Sequence, residues 1–109
     1  MIEKHELTKD TYKDLCLIYK AYLEKRKSGI SKEQSMYFED NDDSLEITGS
    51  YDDFYSSLCE LKSNQLIKLY VDGGFQLTPS AISLMENRFK KGISEVIDFI
   101  LDIVPDFIP

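Results

Sequence analysis

Residues 50–85 read SYDDFYSSLCELKSNQLIKLYVDGGFQLTPSAISLM. Ser50 is placed to cap a helix whose apolar side is Phe54, Leu58 and Leu61, spaced by four and three. The run Leu66, Ile67, Lys68, Leu69, Tyr70, Val71 then changes to strand chemistry. Asp72-Gly73 offers the positive φ angles that a tight hairpin turn needs. Phe75, Gln76 and Leu77 return as the second strand. Thr78 caps the next helix, and Pro79 stands at its first position, where the missing N–H does no harm. The stretch therefore predicts helix, hairpin, helix.

Upstream, Thr8 or Asp10 starts a first helix. Tyr12, Leu15, Cys16, Tyr19, Tyr22 and Leu23 repeat at three and four and define one buried face. Lys20, Lys25, Arg26 and Lys27 crowd its C-terminal end, where cations suit the macrodipole. Dipole compensation and solubility explain this cluster; a phosphate or acidic-partner contact is the functional alternative. Gly29 is the natural residue just past the helix. Ser31-Lys32-Glu33-Gln34 matches a capping box and predicts a short helix through about Asp40, with Met36, Tyr37 and Phe38 as its apolar content. The acids and amides that follow favour turns. Leu45, Glu46 and Ile47 read as a short strand pairing with the hairpin.

Downstream, Ile82, Met85 and Phe89 form a buried face. Gly92 interrupts, and Ile93, Val96, Ile97, Ile100, Leu101 and Val104 continue as an amphipathic helix. One helix kinked at Gly92 and two helices folded back on each other both fit this pattern. Pro105 ends it. The tail Asp106, Phe107, Ile108, Pro109 reads as covering an edge of its own core, with self-association through Ile93 to Ile108 as the alternative. The expected architecture is a single-domain α+β fold, a winged helix-turn-helix with a β-hairpin wing and an additional C-terminal amphipathic helix.

A chain of 109 residues supports one modest core. It is 42% hydrophobic and 30% charged, as expected of a folded soluble domain. No apolar run approaches a membrane span, and the polar N-terminus is not a secretory signal. The two cysteines, Cys16 and Cys59, read as buried, reduced thiols, so a cytoplasmic location is expected.

The net charge of −7 is unevenly spread. Residues 1–32 hold eight Lys/Arg against five Asp/Glu, and residues 61–109 hold five against six. Residues 33–60 hold nine acids and no base, so the middle segment alone is more acidic than the whole chain.

Chemistry for catalysis is not evident. Asp40-x-Asp42-x-Ser44 invites comparison with a calcium loop, but Leu45 stands where the sharp turn needs glycine and Tyr51 where a bidentate acid belongs. His5 is the only histidine and reads as solvated; it shares no metal spacing with the cysteines. Gly73-Gly74 precedes no helix bearing a lysine, so it reads as a turn. No carboxylate pair lies at a signature spacing. A non-enzymatic protein without metal or cofactor is the expectation.

A DNA-reading helix needs Lys or Arg against phosphate. The third helix instead carries Asp52, Asp53 and Glu60 against Lys62, and the hairpin tip has no base. Nucleic acid is therefore disfavoured by charge, although a DNA-binding regulator using the first helix and Arg88, Lys90 and Lys91 is the alternative. Aromatic residues set among charges of one sign mark protein interfaces. The expected partner face is Glu39, Asp40, Asp42, Asp43, Tyr51, Asp52, Asp53 and Tyr55, which would attract a protein with a basic surface.

Residues 47–87 with the closing amphipathic helix resemble the YjcQ-type winged-helix proteins of Firmicute bacteria and their phages. The likeness lies in Phe54, Leu58 and Leu61, in Leu66-Ile67, in Leu77-Thr78 and in the helix from Ile93 to Val104. Ala81 departs from the glycine that many winged helices place after Leu-Thr, and residues 33–46 are longer and more acidic than the resemblance leads one to expect. The resemblance implies the fold and a phage or prophage setting, in which the partner would be a host nucleic-acid-binding protein. It implies no residue roles.

Overall fold

Helix α1 (Lys9–Lys27) starts where Thr8 Oγ1 accepts a hydrogen bond from the Thr11 N–H at 3.4 Å. It ends where the Gly29 N–H donates to the Arg26 carbonyl and the Ile30 N–H to the Lys25 carbonyl, satisfying groups the last turn leaves free. The computed structural model describes residues 7–104. His5 and the tail of residues 105–109, expected to cover a core edge, lie outside the described residues.

Residues 14–22 of α1 are all buried. One buried face was expected, but a helix enclosed on every side belongs at the centre of a fold. Helices α2 (Lys32–Met36), α3 (Tyr51–Ser63), α4 (Pro79–Arg88) and α5 (Ile93–Ile103) all pack against it. Leu17, Ile18 and Ala21 therefore join the core, while Tyr12 and Leu23 are only half-buried.

Helix α2 is capped as expected, with Ser31 Oγ accepting from the Gln34 N–H at 3.2 Å. It does not run to Asp40. Tyr37 and Phe38 form strand β1 (Tyr37–Phe38), which pairs antiparallel with Phe75 and Gln76. The pairing lays the Phe38 ring on Phe75 with centroids 5.2 Å apart, and this burial outweighs one more helical turn. The expected strand at Leu45, Glu46 and Ile47 is absent. Its place in the sheet is taken by β1, and Leu45 and Ile47 pack half-buried on the core from the loop.

Helix α3 begins at Ser50, whose Oγ accepts from the Asp53 N–H at 3.1 Å, and ends at Asn64. Phe54, Ser57, Leu58 and Leu61 face inward. Cys59 lies off that stripe and is exposed, in contrast to buried Cys16; both thiols are free. Strands β2 (Ile67–Leu69) and β3 (Phe75–Leu77) complete a three-stranded antiparallel sheet of order β1-β3-β2.

The hairpin turn is longer than Asp72-Gly73 alone. Tyr70 pairs with Gly74, its N–H donating to the Gly74 carbonyl at 2.8 Å, so Val71, Asp72 and Gly73 form the loop. Only Gly73 has positive φ; Asp72 instead accepts the Gly74 N–H on its carboxylate at 2.8 Å.

Thr78 caps α4 through a 3.2 Å bond from the Ala81 N–H, with Pro79 in the first turn. The chain then breaks at Gly92 (φ 83°, ψ −144°). Helix α5 turns back on α1, driving Val96 and Ile100 into the core. Phe99 meets Tyr12 and Phe89 edge-on, each with centroids 5.6 Å apart. The molecule is thus α+β, with five helices and a small three-stranded antiparallel sheet among the described residues. No helix among them is long and apolar enough to cross a membrane.

Gly92 occupies backbone space that L side chains reach only under strain, yet a Cβ there would meet nothing within 4 Å. Gly92→Ala should therefore destabilise by about 1–3 kcal/mol through backbone strain alone. Gly49→Ala, at a site equally open but without positive φ, should be near neutral. Urea unfolding followed by circular dichroism checks both; equal midpoints would refute the account of the α4–α5 break.

Candidate protein-interaction face

The acidic loop 39–50 is folded by its own carboxylates and tethered by bases from α1. Asp42 accepts three hydrogen bonds: Oδ2 from the Glu39 N–H at 3.0 Å, and Oδ1 from the Ser44 N–H at 3.0 Å and the Ser44 hydroxyl at 2.6 Å. Partial burial alone would raise its pKa, but these bonds and the charge of Lys25 hold it below the usual aspartate value. Lys25 Nζ donates to the Tyr37 carbonyl at 2.7 Å, sits 3.8 Å from the Phe38 ring centroid and lies 4.0 Å from Asp42 Oδ2. Lys20 Nζ is buried on α1 and bridges Glu24 at 2.9 Å and Glu46 at 3.0 Å.

This places Asp40 against α3 and the hairpin tip. Tyr51 Oη donates to Asp40 Oδ1 at 2.8 Å, which raises the Tyr51 pKa. A Cβ on Gly73 would come 2.7 Å from Asp40 Cγ, so only glycine lets the carboxylate lie there. Tyr51 and Tyr55, one turn apart on α3, stack with centroids 6.4 Å apart and planes 26° from parallel; both are 41% exposed.

The expected face is assembled in part. Glu39, Asp40, Tyr51 and Tyr55 are exposed together where loop, helix and hairpin tip meet. Asp43 and Asp52 are exposed, and neither carboxylate accepts a hydrogen bond or forms an ion pair among the described residues. Asp42 is not free for a partner, because it holds the loop together. Asp53 is exposed but turns to the other side of α3, toward α1. Asp72, read as a turn residue, serves the turn, accepting the Gly74 N–H; after partial burial, its charge raises the pKa of Tyr37, followed by Glu39.

Asp53 instead borders a cleft of about 280 Å³ between α1 and α3. Glu60 clasps the start of α1, accepting from the Thr8 N–H at 2.8 Å and the Thr11 hydroxyl at 2.7 Å. Its pKa is lowered, chiefly by the Thr11 hydroxyl. Deeper in, Ser57 Oγ donates to Asp14 Oδ2 at 2.6 Å, and Lys13 Nζ is 3.8 Å from Asp14 Oδ1. Burial raises the Asp14 pKa; Ser57 and Lys13 oppose this, while Asp10 and Asp53 add to it. Sequence reading passed over Asp14 and Ser57: Ser57 lies in line with Phe54 and Leu61, and Asp14 lies off the expected stripe of α1, in line with Leu17, Ile18 and Ala21, which only the enclosure of the helix buries.

A carboxyl whose folded pKa lies above its unfolded value binds its proton more tightly when native. Such a group makes stability fall as pH rises from the unfolded value, about 3.8 for Asp14, through the folded one. Asp14→Asn can still accept the Ser57 hydroxyl and carries no such penalty. The variant should gain stability relative to wild type as pH rises from 4 to 7, in paired urea titrations. The opposite pH dependence of Asp42 and Glu60 is common to both proteins and cancels. A gap that stays constant or narrows with pH would contradict the burial of a charged Asp14.

Compared with models of protein families, with curated proteins and with solved structures, the chain matches none.

Proposed function

We propose that this chain is a winged-helix-type module that binds, without catalysis, a protein partner bearing a basic surface. The hairpin following α3 and the sheet order β1-β3-β2 support the fold type. Strand β1 and the loop 39–50 separate α2 from α3, in place of the tight turn of a helix-turn-helix. In the phage or prophage setting that the resemblance implies, the partner is a cytoplasmic nucleic-acid-binding protein of the host.

The observation that carries the reading is the exposed Tyr51–Tyr55 pair set beside Asp40 and Asp52. Aromatic area costs little side-chain entropy on binding, and the surrounding carboxylates steer a basic surface toward it. The bases that a nucleic-acid reading would use are largely engaged within the fold. Lys20 and Lys25 serve the acidic loop, Arg26 donates to the Ile30 carbonyl at 3.0 Å, and the Arg88 guanidinium lies over the Phe89 and Phe99 rings. Lys90 and Lys91 remain exposed on the α4–α5 connection.

Affinity capture from a bacterial lysate, with and without nuclease, tests the reading with Asp40→Lys/Asp52→Lys beside the wild type. A nuclease-resistant partner that the variant loses is the expected result. A nuclease-sensitive catch that survives the variant, and falls with Lys90→Ala/Lys91→Ala, would replace it with DNA binding.

A further inference from the structure

The Asp40 carboxylate is held from two sides. Tyr51 Oη donates to Oδ1, and the tip glycine, Gly73, leaves room for the side chain where a Cβ would clash with it. Asn41, at φ 59°, turns the chain away immediately after it. Oδ2 of Asp40 accepts no hydrogen bond among the described residues, and no Lys or Arg there forms an ion pair with Asp40. Next to this fixed acceptor stand two nearly parallel aromatic faces, those of Tyr51 and Tyr55.

We infer that Asp40, Tyr51 and Tyr55 form a receptor for an arginine side chain of the partner, an inference that rests on the protein-binding reading above. The guanidinium is planar, weakly hydrated and edged with N–H donors. It can lie flat on a tyrosine face while one edge donates to Asp40 Oδ2, so that stacking and the ion pair form together. A lysine ammonium is attracted by the same carboxylates, but it has no plane to stack and is more strongly hydrated. The face thus selects arginine over lysine at equal charge. Asp52, whose charge also acts on Tyr51, and Glu39 contribute attraction without this selectivity.

Fluorescence polarisation with labelled nona-arginine and nona-lysine peptides tests the inference on the whole chain. Nona-arginine should bind about fivefold more tightly or better, a cation–π-sized difference. Tyr51→Ala/Tyr55→Ala should bring it down to the nona-lysine level while leaving nona-lysine binding unchanged. Both side chains are exposed enough for the variant to keep its circular dichroism and melting profile. Should it not fold, Tyr51→Leu/Tyr55→Leu, which keeps apolar area without an aromatic face, carries the same test. Equal affinity for the two peptides, with both lost in Asp40→Lys/Asp52→Lys, would overturn arginine selection and leave the basic-partner reading standing. Binding of neither peptide would overturn both. An arginine preference that survives loss of the tyrosine rings would place the selectivity elsewhere and overturn the inference.

Discussion

Lys20 is an ammonium group on the most enclosed stretch of the central helix, and it must be paired there. An unpaired charge at such a site costs several kcal/mol, roughly. Its partners come from different parts of the chain: Glu24 from the next turn of α1 and Glu46 from the loop 39–50. Their hydrogen bonds outweigh the effect of burial and raise the Lys20 pKa. Both carboxylates remain half-exposed, so the net contribution to stability is modest. What the pairing decides is position. Once α1 is central, the acidic loop has to lie across it.

Lys25 repeats the device at the other end of the segment, and here burial prevails: its pKa is lowered despite Asp42 and Glu39. It holds the Tyr37 carbonyl on the outer edge of β1 and covers the Phe38 ring. With β1 held in this way, Phe38 stacks on Phe75, and the loop leaves the sheet beside the hairpin tip. Asp40 then has only one place to go, between Tyr51 and Gly73. The arrangement also changes what the surface presents. The segment without a base borrows its counter-ions from α1. Those lysines are withdrawn from solvent, while Asp40, Asp43 and Asp52 stay exposed without ion pairs among the described residues.

Much of the fold was legible in short stretches. Ser31, Ser50 and Thr78 cap the helices they were expected to cap, and Thr8, one of two candidates with Asp10, caps the first, because a cap is a contact between residues two or three apart. The hairpin and its neighbouring helices stand where the 50–85 stretch put them. Failures occurred where a distant residue decided the outcome. Tyr37 and Phe38 continue a helical pattern, yet the Phe75 strand captures them. Leu45 and Ile47 alternate like a strand, but the sheet position is already filled. Lys25, read as a dipole-compensating surface charge, is a tether for the acidic loop. Of the expected face, Asp42 is consumed by its own turn and Asp53 looks toward α1.

By itself the sequence determined where most helices begin and end, which residues line the inner stripe of α3, that a hairpin follows it, and that the middle of the chain is acidic. Caps, turns and periodicity act over a few residues, and net charge is additive along the chain. Only the tertiary structure decided that α1 is enclosed, that α5 folds back upon it, and which strand completes the sheet. It also decided which acids are spent on folding and which remain beside Tyr51 and Tyr55. Those outcomes depend on pairings between residues far apart in the chain, Lys20 with Glu46 and Phe38 with Phe75 among them, whose energies appear in no local window.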